Sequence, residues 1–189
     1  LMSGVIFLLV VLPFTFIEFF YAPWMRMQEE NRAPRRIKGE IRSHVIFTQY
    51  DAVTAALIRK LNQYRQRYVV LVKDIEQALK LHDEKIKVLV GAPDNPETYE
   101  AARVDTAAML VCTGTDQANT NIAFTVREMT KTIPIVATAT DGDSMDVLRF
   151  AGATEAFRLG KLMGLWLARR TIGGDALAHV IGKFDQLEI

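Results

Sequence analysis

HVIFTQYDAVTAALIRKL, at residues 44–61, is the stretch that decides the fold. HVIFT is a short β-branched run, and such a run predicts a buried strand over residues 44–48. Asp51 then precedes a segment, residues 52–64, whose side chains recur at helical spacing, and Asp is a preferred first residue of a helix. The members of that spacing are Val53, Ala56, Leu57, Lys60 and Leu61.

The same alternation of strand and helix patterns continues towards the C terminus. Apolar strands separated by helices are typical of a parallel sheet covered on both faces, with right-handed crossovers. We therefore predict an α/β fold, a Rossmann-like doubly wound parallel sheet over residues 44–159, preceded by one transmembrane helix. The five further strand runs are YVVLV (68–72), KVLV (87–90), AMLVC (108–112), IPIVAT (133–138) and EAFRL (155–159).

Polar residues and glycines mark where several helices begin and end. Asp116 and one of Asp141 or Asp143 are expected to start helices, and Gly152 is expected to end one. After the last strand, residues 160–172 predict another helix, and a shorter one follows at 176–181. We expect these two apolar helices, within residues 160–189, to dock on a partner.

Residues 1–21, LMSGVIFLLVVLPFTFIEFFY, are apolar apart from three positions. About 20 such residues cross a bilayer as a helix, so residues 1–24 are predicted to span the membrane, with interior Gly4 a flexible point. Residues 25–43 form a basic linker, which places the following domain in the cytoplasm by the positive-inside rule. Since the chain opens within an apolar segment, we expect a longer polypeptide.

Composition excludes several classes of function. The formal net charge of the 189 residues is +1, so charge gives no argument for nucleic acid. Cys112 is the lone cysteine, which excludes an internal disulfide, and no Cys/His cluster has the spacing of a metal site. The chain has no Tyr-x-x-x-Lys pair and no histidine after a strand. We therefore expect no enzyme activity.

The turn after the first strand lacks the G-x-G-x-x-G signature of dinucleotide-binding domains. It reads TQYDAV, residues 48–53, and Asp51 would place a negative charge at the phosphate position. NAD binding in the usual pose is therefore disfavoured in this domain.

Other polar residues follow strands, where open α/β sheets bind ligands. Asp74 ends the second strand and fits either a ribose-binding acid or a helix cap. Thr113 to Asp116 follow the fourth strand, and capping explains Thr115 and Asp116 equally well. The candidate ligand-binding residues are Thr48, Asp51, Asp74, Thr113 and Asp116.

Two motifs resemble those of the RCK (regulator of potassium conductance, or TrkA-N) family. They are GAPDNPETYEAARV at residues 91–104 and LRFAGA at 148–153. The resemblance runs from about His44 to the end, and residues 1–24 resemble the pore-lining inner helix of potassium channels, with Gly4 a candidate gating hinge. The order of helix, linker and domain suggests a ligand-gated bacterial potassium channel.

The resemblance implies a homotetramer in the plasma (inner) membrane whose neighbouring RCK domains form a ring below the lipid bilayer. Potassium is the transported ion, and a nucleotide or NAD could bind elsewhere in the full-length protein. The selectivity-filter sequence T-V-G-Y-G is missing, and Thr113 and Thr138/Thr140 replace the acidic residues of the family's calcium site. The alternatives are a regulatory subunit of a potassium transporter and a membrane-anchored Rossmann-type enzyme. The implied dimer interface is residues 160–172, through Leu162, Met163, Leu165 and Trp166.

Overall fold

A computed structural model describes residues 11, 13–21, 24–25, 33–37 and 39–172. A π-helical turn, Ile17–Tyr21, precedes the domain. The strands are β1 Val45–Phe47, β2 Tyr68–Val72, β3 Val88–Val90, β4 Met109–Cys112, β5 Ile135–Thr138 and β6 Glu155–Phe157. The helices are α1 Ala52–Gln63, α2 Ile75–Asp83, α3 Pro96–Ala101, α4 Asp116–Met129, α5 Ser144–Phe150 and α6 Leu159–Ile172, with a 3₁₀ turn at Val104–Thr106.

The six strands form one parallel sheet in the order β3-β2-β1-β4-β5-β6. This order confirms the predicted doubly wound sheet. Strand order reverses between β1 and β4, where Phe47 lies opposite Val111. A crevice for a ligand is expected beyond the carboxyl ends of those two strands.

Both faces of the sheet are buried. Neighbouring residues of one strand point to opposite faces, so Ile46 belongs to the cluster under α3, α4 and α5, while Phe47 belongs to the cluster under α1 and α2. Tyr99 of α3 is fully buried in the first cluster. Burial on both faces explains why the central strands β1 and β2 are apolar without alternation.

Most of the predicted helix boundaries are confirmed, with one correction. Asp51 caps α1 by accepting the Thr54 N–H, and Gly152 follows α5 with φ of 105°. The cap of α4 is Thr115, whose hydroxyl accepts the Ala118 N–H, so Asp116 is the first helical residue rather than the residue before the helix. Asp143 precedes α5 but makes no capping hydrogen bond with its side chain.

The residues at helical spacing in α1 do not all face the sheet. Val53 is 41% exposed and Ala56 is also exposed, whereas Thr54 and Ile58 are buried. The short capped turn after β1 fixes which side of α1 meets the sheet. The spacing of apolar residues in the sequence does not show which side of the helix faces the sheet.

The described part of the linker lies against the domain. Its Pro34 carbonyl accepts the Val90 N–H at 2.8 Å, and the Ile37 N–H donates to the Ala101 carbonyl at 3.2 Å. Ala33 is buried and Ile37 packs against the core. Residues 33–37 therefore cover edge strand β3, whose backbone groups would otherwise be open to solvent.

The two ends of the chain carry predictions that the described residues do not test. Within the described part of the chain, no helix combines the length and apolar content that a membrane span requires. Gly4 and the predicted helix at 176–181 lie outside the described residues. The helix predicted over 160–172 is present as α6, and it begins one residue earlier.

Candidate functional site

The candidate ligand crevice lies beyond the carboxyl ends of β1 and β4. Thr48 continues β1, and its N–H donates to the Val111 carbonyl at 3.1 Å. Thr113 and Gly114 continue β4 on the opposite side. The topology thus brings two of the predicted residues, Thr48 and Thr113, to one place in the fold.

Gln49, which the sequence analysis missed, connects the two sides of this crevice. Its Nε2 donates to the Thr113 carbonyl at 2.8 Å and to the Asp51 carboxylate at 3.0 Å. A pyrophosphate in the usual dinucleotide pose would lie over this turn, so it would have to displace the Gln49 side chain.

Asp51 occupies the N terminus of α1, where a phosphate would otherwise bind. Its Oδ1 accepts the Thr54 N–H at 2.7 Å. Burial acts to raise the pKa of Asp51, but the nearby Thr113 hydroxyl, the Thr54 N–H and the Gln49 amide outweigh it, so the pKa is lowered. The Thr113 hydroxyl is buried and near this carboxylate, yet it lacks a partner in hydrogen-bonding geometry. A negative charge is thus fixed at the phosphate position.

Asp116 joins the corner after β4 to the loop after β5. Its carboxylate accepts the Thr140 N–H at 2.7 Å and the Asp141 N–H at 3.0 Å. The nearby Ser144 hydroxyl, together with these two N–H groups, lowers the pKa of Asp116 to about 2. Asp116 is therefore an anion that holds the far wall of the crevice.

Asn119 is a second residue that the sequence analysis missed. It is fully buried in α4, and its Nδ2 donates to the carbonyls of Gly114 and Thr138, at 3.1 and 2.8 Å. Its Oδ1 accepts the Gly114 N–H at 2.9 Å. One side chain thus fixes the ends of β4 and β5. The signal in the sequence is an amide on the helix face that otherwise carries Ile122, Ala123 and Val126.

Asp74 stands apart from the other candidates. It is exposed, it follows β2, and its Oδ1 accepts the Gln77 N–H at 2.7 Å as the cap of α2. Capping accounts for its position.

The other titratable residues singled out by the sequence are enclosed in the core. Burial raises the pKa of the Cys112 thiol to about 12. Burial also lowers the pKa of His44, whose Nε2 lies 2.8 Å from the Ala102 carbonyl. Across the described ranges, no three His, Cys, Asp or Glu side chains are grouped as metal ligands.

Comparison with known proteins decides the family. The model of the TrkA-N domain matches residues 45–159, which is the six-stranded sheet with the start of α6. The chain belongs to the TrkA-N domain family. This confirms the resemblance drawn from residues 91–104 and 148–153. A comparison with curated protein sequences gave no match.

Solved structures of the GsuK channel are similar over nearly the whole chain. The GsuK channel bound to NAD is 32% identical, with a TM-score of 0.69, and the match covers 88% of this chain and 30% of that one. GsuK bound to ADP is 32% identical, with a TM-score of 0.71, covering 89% of this chain and 45% of that one. The TrkA-N chain described here thus spans less than half of either GsuK chain.

A more distant relative supports the fold alone. The TrkA-N domain of the inner membrane protein ybaL from Escherichia coli is 20% identical, with a TM-score of 0.65. The match covers 69% of this chain and 98% of that domain.

The chain also exposes large apolar side chains on α6 and on the neighbouring helices α4 and α5. Those of α6 were singled out from the sequence, and Leu162, Met163, Leu165 and Trp166 are each about half exposed. The second surface, on neighbouring helices α4 and α5, was missed. It comprises Phe124, Val147 and Phe150, the last of them 95% exposed.

Proposed function

We propose that this chain is the regulatory gating module of a potassium channel. Residues 1–24 would be the inner helix that lines the pore, with Gly4 as its hinge, and the TrkA-N domain would lie in the cytoplasm beneath the inner membrane. The 32% identity to the GsuK channel over 88% of the chain supports this function, as does the apolar character of residues 1–21.

The observation that carries the proposal is the docking of the linker on the sheet. Hydrogen bonds join Pro34 to Val90, Ile37 to Ala101 and Ser43 to Thr106. A movement of β3 or α3 is therefore transmitted to the residues that precede the domain. A ligand that binds one arrangement of the domain more tightly shifts the pore equilibrium by that difference in affinity.

The gating ligand would bind in the crevice at the β1–β4 switch point. Its walls hold Thr48, Asp51, Thr113 and Asp116, with Asp74 at the end of the neighbouring strand. Gln49 and Asp51 fill the usual phosphate position, so the ligand would adopt a different pose from a dinucleotide in a Rossmann domain.

Assembly into a homotetrameric ring would use the two exposed apolar surfaces. The α6 surface would meet its equivalent in a neighbouring domain, and the α4–α5 surface would meet another neighbour. Two separate self-complementary contacts on each domain join domains into a closed ring in which neighbouring domains face opposite ways.

Planar-bilayer recording of the full-length protein tests the function. We expect unitary potassium currents, and we expect Ile37→Asp, which places a charge against the core, to change the open probability but not the unitary conductance. Arg42→Gln, an exposed linker change, is the matched control and should leave both unchanged.

The same recordings separate this function from its alternative. A regulatory subunit of a transporter has no pore and gives no unitary steps. Absence of steps, or an Ile37→Asp effect confined to conductance, would contradict the gating function.

A further inference from the structure

A cavity of about 1100 Å³ opens at the amino edge of the sheet. This edge is opposite to the ligand crevice. The cavity walls are linker residues 33–37 on one side and the turns that lead into β2 and β3 on the other. We call it the cationic cavity, because its charged lining residues are Arg35, Arg36, Arg65, Arg67, Lys85 and Lys87.

The charges of this lining have one sign. Among the residues that the structure describes around the cavity, none is Asp or Glu. Within the described residues, the ion pairs are Arg42 with Glu40 and Arg149 with Asp146, so no pair involves the cavity. Cations gathered in a concave site repel one another and attract an anion.

The fold builds the cavity from a repeated turn. Arg65-Gln66-Arg67 enters β2, and Lys85-Ile86-Lys87 enters β3. The two turns lie side by side because β2 and β3 pair in parallel, with Val70 opposite Val88. Each turn therefore contributes two basic side chains to the same place.

Two of these side chains occupy backbone positions that suit glycine better. Arg65 has φ of 56° and Lys85 has φ of 65°, each just after the end of a helix. Glycine is the usual residue there. Each site thus combines an unfavourable backbone conformation with a long basic side chain at the cavity.

The helix dipole accounts for only part of the basic cluster. Its effect falls off within the last turn of a helix, and Lys60 and Lys80 already lie in the last turns of α1 and α2. Arg67 and Lys87 lie beyond the helices, at the residues just before the strands, and Arg35 and Arg36 come from the linker.

We propose that the cationic cavity binds a phosphate-bearing anion between the linker and the sheet. One guanidinium group can donate two parallel hydrogen bonds to two oxygens of a phosphate, and a lysine ammonium adds a point charge. A soluble polyphosphate and the phosphate of a lipid headgroup offer the same chemistry. By joining Arg35 and Arg36 to Arg67 and Lys87, the anion would stiffen the linker contact. This regulatory consequence rests on the proposed gating function, whereas the binding does not.

Binding is measured with the full-length protein in two arms. Sodium tripolyphosphate is titrated by calorimetry. Phosphatidylglycerol is added in native mass spectrometry, with phosphatidylcholine, a zwitterion of no net charge, as its comparison. Binding in the first arm alone identifies a soluble phosphate, and selective retention of phosphatidylglycerol alone identifies a lipid. Either result supports the proposal, and so do both together. Absence of binding in both arms overturns it.

Variants show whether the anion occupies the cavity. Arg67→Gln with Lys87→Gln should weaken binding roughly tenfold or more, since two charge-assisted contacts are lost. Arg59→Gln with Lys131→Gln removes the same charge from exposed positions outside the cavity and should change affinity little. An equal loss of affinity for the anion in the two double variants would overturn the proposal.

A second pair separates binding from folding. Arg65→Gly with Lys85→Gly relieves both positive φ angles, so the melting temperature should hold or rise while the affinity for the anion falls. An unchanged affinity of this double variant for the anion would overturn the assignment of the site. An anion that binds as expected but leaves unitary currents unaltered would contradict only the gating role.

Discussion

Asp116 joins two loops of the crevice, because its carboxylate accepts the N–H groups of both Thr140 and Asp141. Asp116→Asn replaces one acceptor oxygen by an amide that cannot accept. We expect a loss of about 1 kcal/mol in the free energy of unfolding at pH 7, the usual size for such a bond. Urea unfolding of the variant and the wild type measures it.

The pH dependence of that loss follows from the lowered pKa of Asp116. In the folded protein this pKa is about 2, below its ordinary value of 3.8. The stabilisation by the carboxylate is therefore complete above about pH 4 and disappears as the pH falls towards 2. The difference between variant and wild type should shrink over that window. Asp143 lies in the loop between β5 and α5 and makes no capping hydrogen bond with its side chain. Asp143→Asn should therefore leave the free energy of unfolding at pH 7 unchanged.

Cys112 gives a second test at the scale of one residue. It is fully buried, and its pKa is raised to about 12, so neither access nor a thiolate is available to an alkylating reagent. Iodoacetamide should modify the chain only after unfolding in urea, with mass spectrometry as the readout. Comparable rates of labelling in native and unfolded samples would contradict the burial of β4.

At the scale of elements, the packing of α3 on β3 explains one motif of the family. A Cβ on Gly91 would lie 2.5 Å from Cγ2 and 2.6 Å from Oγ1 of the buried Thr98. Gly91→Ala should therefore cost about 1–3 kcal/mol, the range for overpacking a core. Chemical denaturation measures this loss. Adding Thr98→Ala should restore part of it, and a double variant no better than Gly91→Ala alone would exclude this contact as the cause.

The turn between β1 and α1 is the basis for a prediction about the affinity of this domain for NAD. Because Asp51 holds a carboxylate at the phosphate position and Gln49 covers the turn, we expect weak binding or none in calorimetry on the full chain. Asp51→Ser keeps a capping oxygen but removes the charge, and it should increase the affinity. Asp83→Ser, at the end of α2, serves as the control. A micromolar affinity of the wild type that falls on Asp74→Asn would contradict this prediction.

All six strands were predicted from the sequence to within two residues at either end. The buried strands among them are continuous apolar runs, whereas edge strand β6 is exposed at Glu155 and Phe157. Thr48 and Thr113 could be placed at one crevice since both follow strands. Gln49 was missed because only the folded chain brings the Thr113 carbonyl near its amide. Asn119 was missed although an amide on an otherwise apolar helix face is a signal in the sequence. The cationic cavity was not predicted either, because its lining comes from three segments that only folding brings together.

At the scale of the whole molecule, the two proposed sites lie at opposite edges of the sheet. The crevice lies at the carboxyl edge and the cationic cavity at the amino edge. Linker residues 33–37 contact the cavity directly and the crevice only through β3 and the sheet. An anion at the cavity and a ligand in the crevice can therefore act on the same linker. Such a coupling is reciprocal, so each would alter the affinity of the other.

Helix α6 provides the test of assembly. Its apolar side chains Leu162, Met163, Leu165, Trp166 and Leu167 are all about half exposed. At 100° per residue they cover an arc of roughly 200°, wider than one neighbouring helix can bury. Burying such a side chain contributes about 1.5–3 kcal/mol, so we expect association through α6.

Replacing Trp166 and Leu162 together by Gln should dissociate the α6 contact. These residues lie near the centre of the apolar arc, so both partners of a self-complementary pair lose them at once. Light scattering on the detergent-solubilised chain should report a smaller species, and in the full-length channel ligand should no longer alter the open probability. Lys161→Gln, on the other side of the helix, should leave the assembly intact. A wild-type chain that remains a well-behaved monomer would contradict assembly through α6. In such a monomer Trp166 and Leu162 would stay half exposed without causing association.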